Sequence, residues 1–369
     1  MTGPYHPSVA TLVTGPHRQT VSAAFMDALG TVPLNLLHGS TVDWSERRSP
    51  CVATNLVCDI PAPDVLARLD PRKNVRVTIT AGYHLADGSR SVAEVANLHL
   101  RARTVDRPRQ TLTLTAVSDE ALVIEGSKRA TPIETPYIPW HVSFGIGTLI
   151  TEVLAGGPAA SPLIVDTAPR VTGQTVIGTD YWRAITDLAD IADVDVYDEG
   201  DRVFRIAPRV YVASESVAVI RTGPGGTVTA SAAVVDRDDF ANDVQLAYEW
   251  KDAANVQQRV IGRATTSGVW APVGVGFCGH VENREGPITQ GGADAAAATL
   301  LRRLMSRSRT IEVESVAHWW IRPRQTITLQ LPTGEQSRVI VVSARFDLTS
   351  RTMHLVTRAP ETALSLTGE

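Results

Sequence analysis

Asp236, Asp238, Asp239 and Asp243 form the densest acidic group in the chain. Carboxylates at close range can serve as general acid and base, or flank a glycosidic bond. Arg237 lies among them and the group falls between two β-patterned runs, so a charged surface turn explains the same residues. A second acidic stretch, Asp198-Glu199-Gly200-Asp201, stands where a tight hairpin turn belongs. A calcium loop would need a longer alternation of oxygen ligands closing on a glutamate. The adjacent Trp319 and Trp320, together with Trp270, could stack on a sugar ring. In a strand the two neighbouring rings would face opposite sides, one toward core and one toward an interface or ligand, and packing explains them as simply.

Other chemistries lack their residues. The nine histidines are scattered, with no HxH or HExxH spacing to suggest zinc. There is no GxSxG, no local Cys–His signature and no nucleotide fingerprint. Gly223-Pro224-Gly225-Gly226 has no following Lys and Ser/Thr, so it reads as a turn rather than a phosphate loop. Arg302, Arg303, Arg307 and Arg309 could grip phosphate, but they fit a solvated or subunit-facing helix end as well. Cys51, Cys58 and Cys278 are too few and odd in number for a disulfide framework and read as small apolar residues. The expectation is no catalytic, cofactor-binding or metal residues, and no enzyme.

The 369 residues suffice for two or three domains, and 43% hydrophobic with 20% charged residues predicts a packed core. A net charge of -4 and a pI near 6.2 give no basic face for wrapping nucleic acid. The start, MTGPYHPSVATLVTGPH, lacks the basic region and apolar run of a signal peptide, and no stretch approaches the roughly 20 apolar residues of a membrane span. Synthesis and folding in the cytosol are expected.

The elements that would position these residues are mostly strands. TLVTG, VSAAFM, CVATNLVCDI, NVRVTITAGY, EVANLHLRARTVD and TLTLTAVSDEALVI alternate or carry β-branched residues within 9–125, with Asp87-Gly88-Ser89 as a hairpin turn. A small barrel or sandwich follows. Pro132, Pro136 and Pro139 mark 126–145 as an extended linker or lid, and a short helix over 146–155 ends at Gly156-Gly157-Pro158. Thr179 or Asp180 can cap a helix whose apolar face is Trp182, Ile185, Leu188, Ala189, Ile191 and Ala192. A hairpin follows, with Val194 and Val196 on one arm and Val203 and Ile206 on the other. Strands return over 210–250. The segment 253–290 reads as loop-rich, partly β and reaching toward a partner chain. A helix spans 291–307, and an antiparallel meander with turns at Pro332-Thr333-Gly334 and Thr349-Ser350-Arg351 closes the chain.

The run WRAITDLADIADVDVYDEGDRVFRIAPRV, followed by VAVIRTGPGGTVTASAAVVDRDDFANDVQLAYE, the Ala-rich helix, IRPRQTITLQ and FDLTSRTMHLVTR, resembles the baseplate hub, or minor tail protein, family of long-tailed siphovirus phages of actinobacteria. That family is similar to the hub proteins of contractile tails. The likeness covers most of 17–358 and departs from the family at Arg324-Gln325, where Gly-Asp is frequent. It implies a mainly β, α+β fold in which two tail-tube-like β-barrel modules flank a mixed helix–hairpin insert. The divisions are an N-terminal arm 1–16, a first barrel 17–125, an insert 126–215, a second barrel 216–358 carrying the helix 291–307, and a tail 359–369. The resemblance further implies a structural protein at the virion's tail tip, a homotrimeric hub ring with no cofactor. Its partners would be the distal tail, tape-measure and fibre proteins, and DNA would pass the channel without specific binding. The alternatives are a cell-wall hydrolase using Asp236, Asp238 and Asp239, and a glycan-binding receptor module using Trp319, Trp320 and Trp270.

Overall fold

The computed structural model describes residues 17–86, 88–127, 140–155, 157, 162–168, 172–173, 180–235, 240–251, 255–285, 288–306, 309–331 and 336–359. The expected TLVTG strand, the proline run 132–139 and the turn at 332–334 lie outside them. Seven strands open the fold: β1 (His17–Asp27), β2 (Gly30–Leu34), β3 (Thr41–Ser45), β4 (Val52–Asp59), β5 (Arg76–Leu85), β6 (Arg90–Asp106) and β7 (Thr111–Val117). In β7, Leu112, Leu114 and Ala116 are buried and the threonines between them are not, the period of a sheet with one face on a core. β5 and β6 pair as the expected hairpin, with Gly88 of its turn at φ 83°.

The middle of the chain holds β8 (Trp140–His141), β9 (Leu163–Asp166), β10 (Thr172–Gly173), β11 (Val194–Asp198) and β12 (Val203–Pro208). Helices Glu120–Ser127, Val142–Leu154 and Tyr181–Ala192 pack with them around a separate core that includes Ile146, Ile150, Ile185 and Phe204. Three expectations change here. Residues 120–124, read as the end of a strand, begin a helix, because the unbroken apolar run Ala-Leu-Val-Ile carries no period of its own. The next helix starts at Val142, so the linker reading of 126–145 fails at both ends. In the third helix Tyr181, Ala184, Ile185, Leu188, Ala189 and Ala192 are buried, whereas Trp182 is half-buried and Ile191 is 41% exposed. Spacings of 3, 4, 7, 8 and 11 from Tyr181 define the true face.

The last part holds β13 (Val219–Arg221), β14 (Val228–Val235), β15 (Asp243–Lys251), β16 (Gln257–Thr265), β17 (Gly279–Glu285), β18 (Arg309–Val316), β19 (Thr326–Gln330), β20 (Gln336–Asp347) and β21 (Thr352–Arg358). β15, β16 and β17 form a small sheet, so 253–290 is more β than loop. The helix Gln290–Met305 packs on that sheet through Ala293, Ala297, Leu300 and Leu301. A Cβ on Gly262 would lie 2.1 Å from the carbonyl oxygen of Ala293, so only glycine permits this helix-to-strand approach.

One 13-stranded sheet joins the two ends of the chain, in the order β14-β18-β21-β20-β3-β4-β7-β6-β5-β1-β2, with β13 and β19 at its side. The joint is β3, antiparallel to β4 on one edge and to β20 on the other. The 12 residues of β20 carry β19 along Gln336–Ile340 and β3 along Ser343–Asp347. A single core fills this sheet, with Trp44, Leu56, Tyr83 and Leu98 from one half and Trp319 and Phe346 from the other. Two closed barrels were expected; among the described residues the sheet is continuous and closes none. It does curl, because the bridge Leu36–Cys58 brings the segment after β2 back to β4, the far end of the run β4-β7-β6-β5-β1-β2. The closing meander is also incomplete. β19, β20 and β21 follow one another, but β18 lies between β21 and β14. The segment between β18 and β19 buries Trp319, Trp320 and Ile321 across the core, so it cannot be a tight turn.

Candidate functional site

Asp236, Asp238 and Asp239 lie outside the described residues. Asp243 accepts a hydrogen bond from Thr265 Oγ1 at 2.5 Å within the β15–β16 pair. The sugar-platform reading of Trp319 and Trp320 is overturned, since they are 1% and 2% exposed. Trp319 stacks on Phe346 at 5.1 Å and donates from Nε1 to Gln19 Oε1 at 2.9 Å, tying the two ends of the chain together. Trp270 is half-buried against Phe240. Cys51 and Cys58 are buried as expected, and burial pushes both thiols up to about 12. Cys278 is half-buried.

The acidic hairpin has more than a turn's role, and β11 is its organising strand. Asp198 is fully buried. Its Oδ2 accepts from Asp119 N at 2.9 Å, and its Oδ1 accepts from the backbone N–H groups of Gly200, Asp201 and Arg202 at 2.8–3.2 Å. Glu120 returns the contact. Its Oε1 accepts from Asp198 N at 3.1 Å, and its Oε2 accepts from Cys51 N and from Ser118 Oγ at 3.1 Å. These two carboxyls therefore clasp the insert to the end of β7 and the start of β4. Beside them Asp119 pairs with Arg76 at 2.9 Å, both side chains buried. Among the described residues no cationic side chain forms an ion pair with Glu120 or Asp198. Burial pushes Glu120 up to about 8 and Asp198 up to about 7, against the opposing effect of their backbone donors.

Asp195, three residues earlier on the same strand, meets arginines instead. Arg324 Nε lies 2.8 Å from it and Arg209 Nε 3.2 Å. Burial opposes its ionisation, but the charges of Arg324 and Arg209 outweigh this and hold Asp195 below the usual carboxylate range. Arg324 stacks over Tyr197 at 3.8 Å. It also sits at φ 71°, a backbone region glycine prefers. This is the position where the sequence departs from the Gly-Asp of the resembling family. Nearby, Arg358 pairs with Glu46 at 3.3 Å and donates to the Val210 carbonyl at 2.6 Å. This second junction fastens the insert to both halves of the large sheet.

A cleft of about 260 Å³ lies between Asp119, Asp201, Arg202, Leu163 and Phe204. Its carboxylates are already engaged, Asp119 by Arg76 and Asp201 by Arg205 at 2.6 Å, which leaves no poised acid–base pair there. Among the described residues no group of three His, Cys, Asp or Glu could hold a metal ion, and no helix is long and apolar enough to cross a membrane. Glu120, Asp119 and Arg76 do not stand out in the sequence. The only available signal was a Ser-Asp-Glu triplet interrupting an apolar run.

No protein-family model matches the sequence, and no curated protein matches it. Solved structures do. The chain is similar to a tail protein from Neisseria meningitidis MC58, with a TM-score of 0.65 and 12% identity over 93% of this chain and 98% of that one. It is similar to the 43 kDa tail protein of prophage MuSo2 from Shewanella oneidensis, with a TM-score of 0.63 and 12% identity over 93% and 99%. Prophage tail protein gp18 from Listeria monocytogenes EGD-e gives 0.57 and 12% over 94% and 97%. The chain thus has, nearly end to end, the fold of these tail proteins.

Proposed function

We propose that the chain is a structural protein of a phage tail tip, a hub that assembles as a homotrimeric ring, continues the tail tube and joins it to distal tip and fibre proteins. The observation that carries this reading is the fold shared with the Neisseria tail protein across 93% of this chain and 98% of that one. The curl that brings Leu36 back to Cys58 supports a tube-like module at 17–125; in this reading 216–358 forms a second such module, with the insert 126–215 between them. In this reading the polar junctions are structural, the protein turns over no substrate, and it resides in the virion. The distal tail and tape-measure proteins are its neighbours, and DNA passes its channel without specific contacts.

Light scattering on the purified chain tests this. A mass near three times 39.7 kDa, with rings in electron micrographs, is the expected result. A chain that stays monomeric and cleaves cell wall overturns it.

A further inference from the structure

Two uncharged segments hold apolar side chains out to solvent. The first is β14, Val-Thr-Ala-Ser-Ala-Ala-Val-Val, at one end of the 13-stranded sheet. It pairs with β18 on one edge, and from Thr229 onward every residue is exposed, Val235 at 77%. Edge strands are normally blunted by shortness, charge or proline. β14 has eight residues and neither charge nor proline, whereas β2, at the other end of the sheet, has five residues and includes Pro33.

The second segment is the loop 266–279, Thr-Ser-Gly-Val-Trp-Ala-Pro-Val-Gly-Val-Gly-Phe-Cys-Gly, which carries no charge. Val269, Val273 and Phe277, four residues apart, are 80%, 98% and 77% exposed. Their backbone is held from below. Asn242, fully buried, donates from Nδ2 to the carbonyls of Trp270 at 3.2 Å and Gly276 at 2.8 Å, and its Oδ1 accepts from Cys278 N at 2.8 Å. Turn bonds from Ala271 N to Gly268 O and from Gly276 N to Pro272 O complete the support. A buried polar clamp therefore presents a preformed apolar knob, an arrangement that lowers the entropic cost of binding.

We infer that the 266–279 loop of one copy packs on β14 of the next copy in the ring. This inference rests on the ring reading and names its contact. Neither segment carries a charged residue of its own, and on the strand side Glu312 and Glu314 of β18, opposite Ala232 and Ala230, form a polar rim to the apolar strip. One is a protrusion and the other a flat strand, so their contact is heterologous, and a heterologous contact closes into a ring when its rotation permits. In such a ring every copy has both surfaces covered, whereas a different protein seated on either one would leave the other bare. Three exposed side chains of this size offer on the order of 400 Å². Used together, knob and strand reach about 800 Å², which with a polar rim approaches the roughly 1,000 Å² of a specific interface.

The test uses the full chain with Val273→Asp and Phe277→Asp in the loop, and separately Ala232→Lys in the strand, where a lysine lies opposite Glu312 and does not repel it. All three positions are exposed, so circular dichroism should match wild type. Each variant is expected to weaken self-association by at least about 100-fold. Mixing the two variants restores one contact per pair, so the mixture should give dimers and no trimers. If wild type is trimeric and both variants remain trimeric, the contact is wrong and the ring reading stands. If wild type stays monomeric at the highest attainable concentration, this contact falls, and cell-wall cleavage by that monomer brings down the ring reading as well.

Discussion

Asp195 and Asp198 stand three residues apart on β11 and are buried in opposite ways. Their odd spacing sends them to opposite faces of the strand. Asp195 meets Arg324 and Arg209, and their charges keep it ionised. Asp198 meets backbone N–H groups and the neighbouring Glu120, and burial raises its pKa. Backbone dipoles satisfy the oxygens without supplying a full countercharge, so the carboxyls on that side hold protons more tightly. The same hairpin thus fastens to one neighbour with ion pairs and to another with a clasp that is proton-sensitive near neutral pH.

The largest effect is expected from breaking the ionic side. Asp195→Ala leaves Arg324 buried without its partner and should destabilise the protein by about 3 kcal/mol in urea denaturation, the low end for such a loss because Asp195 retains some exposure. Adding Arg324→Met should recover part of that loss, since replacing both members of a buried pair costs less than removing one. If the double variant is no better than the single, the ion pair is not what the junction depends on.

The next effect is pH-dependent and separates the two sides. Glu120 and Asp198 have raised pKa values in the folded state, so folding binds protons there. Their contribution is fully present below about pH 4 and is lost as pH rises through about 7 to 8. Asp195 behaves in the opposite sense, stabilising above its unfolded pKa and losing that contribution as pH falls through its lowered folded value. Stability should therefore decline on both limbs, with the alkaline decline falling between pH 5 and 8. Glu120→Gln should remove the Glu120 share of the alkaline decline, leaving the Asp198 share and the acid limb. Unchanged slopes in a denaturation series over pH would remove the clasp from the account.

The smallest effect calibrates both. Asp180 caps the Tyr181–Ala192 helix by accepting from Arg183 N at 3.0 Å, away from either junction. Asp180→Ala should cost about 1 kcal/mol with no change in pH slope between 5 and 8. A slope change in this variant would show that the pH response belongs to the insert as a whole.

Much of the fold could be read from periodicity. The alternation in β5 and β7, the Asp180 cap, the hairpin around Gly200 and the Ala-rich helix all follow from local pattern. What was hidden depends on contacts distant in the chain. Nothing near Thr41–Ser45 shows that this strand joins β20, and nothing near Trp319-Trp320 shows that Gln19 and Tyr83 wait for them. Arg324 was noticed as a departure from Gly-Asp, but its left-handed backbone and its hold on Asp195 are visible only in three dimensions. The clasp was hidden for the same reason, because Glu120 and Asp198 are 78 residues apart along the chain.

The β3–β20 pairing has a consequence for synthesis. About 300 residues separate the two strands. At roughly 5 to 20 residues per second, β3 leaves the ribosome on the order of 15 to 60 s before its partner exists. For that interval the growing chain presents an unfilled strand edge beside β4, within reach of other chains being translated from the same message. Folding of the large sheet is therefore a race between completing translation and pairing with the wrong copy.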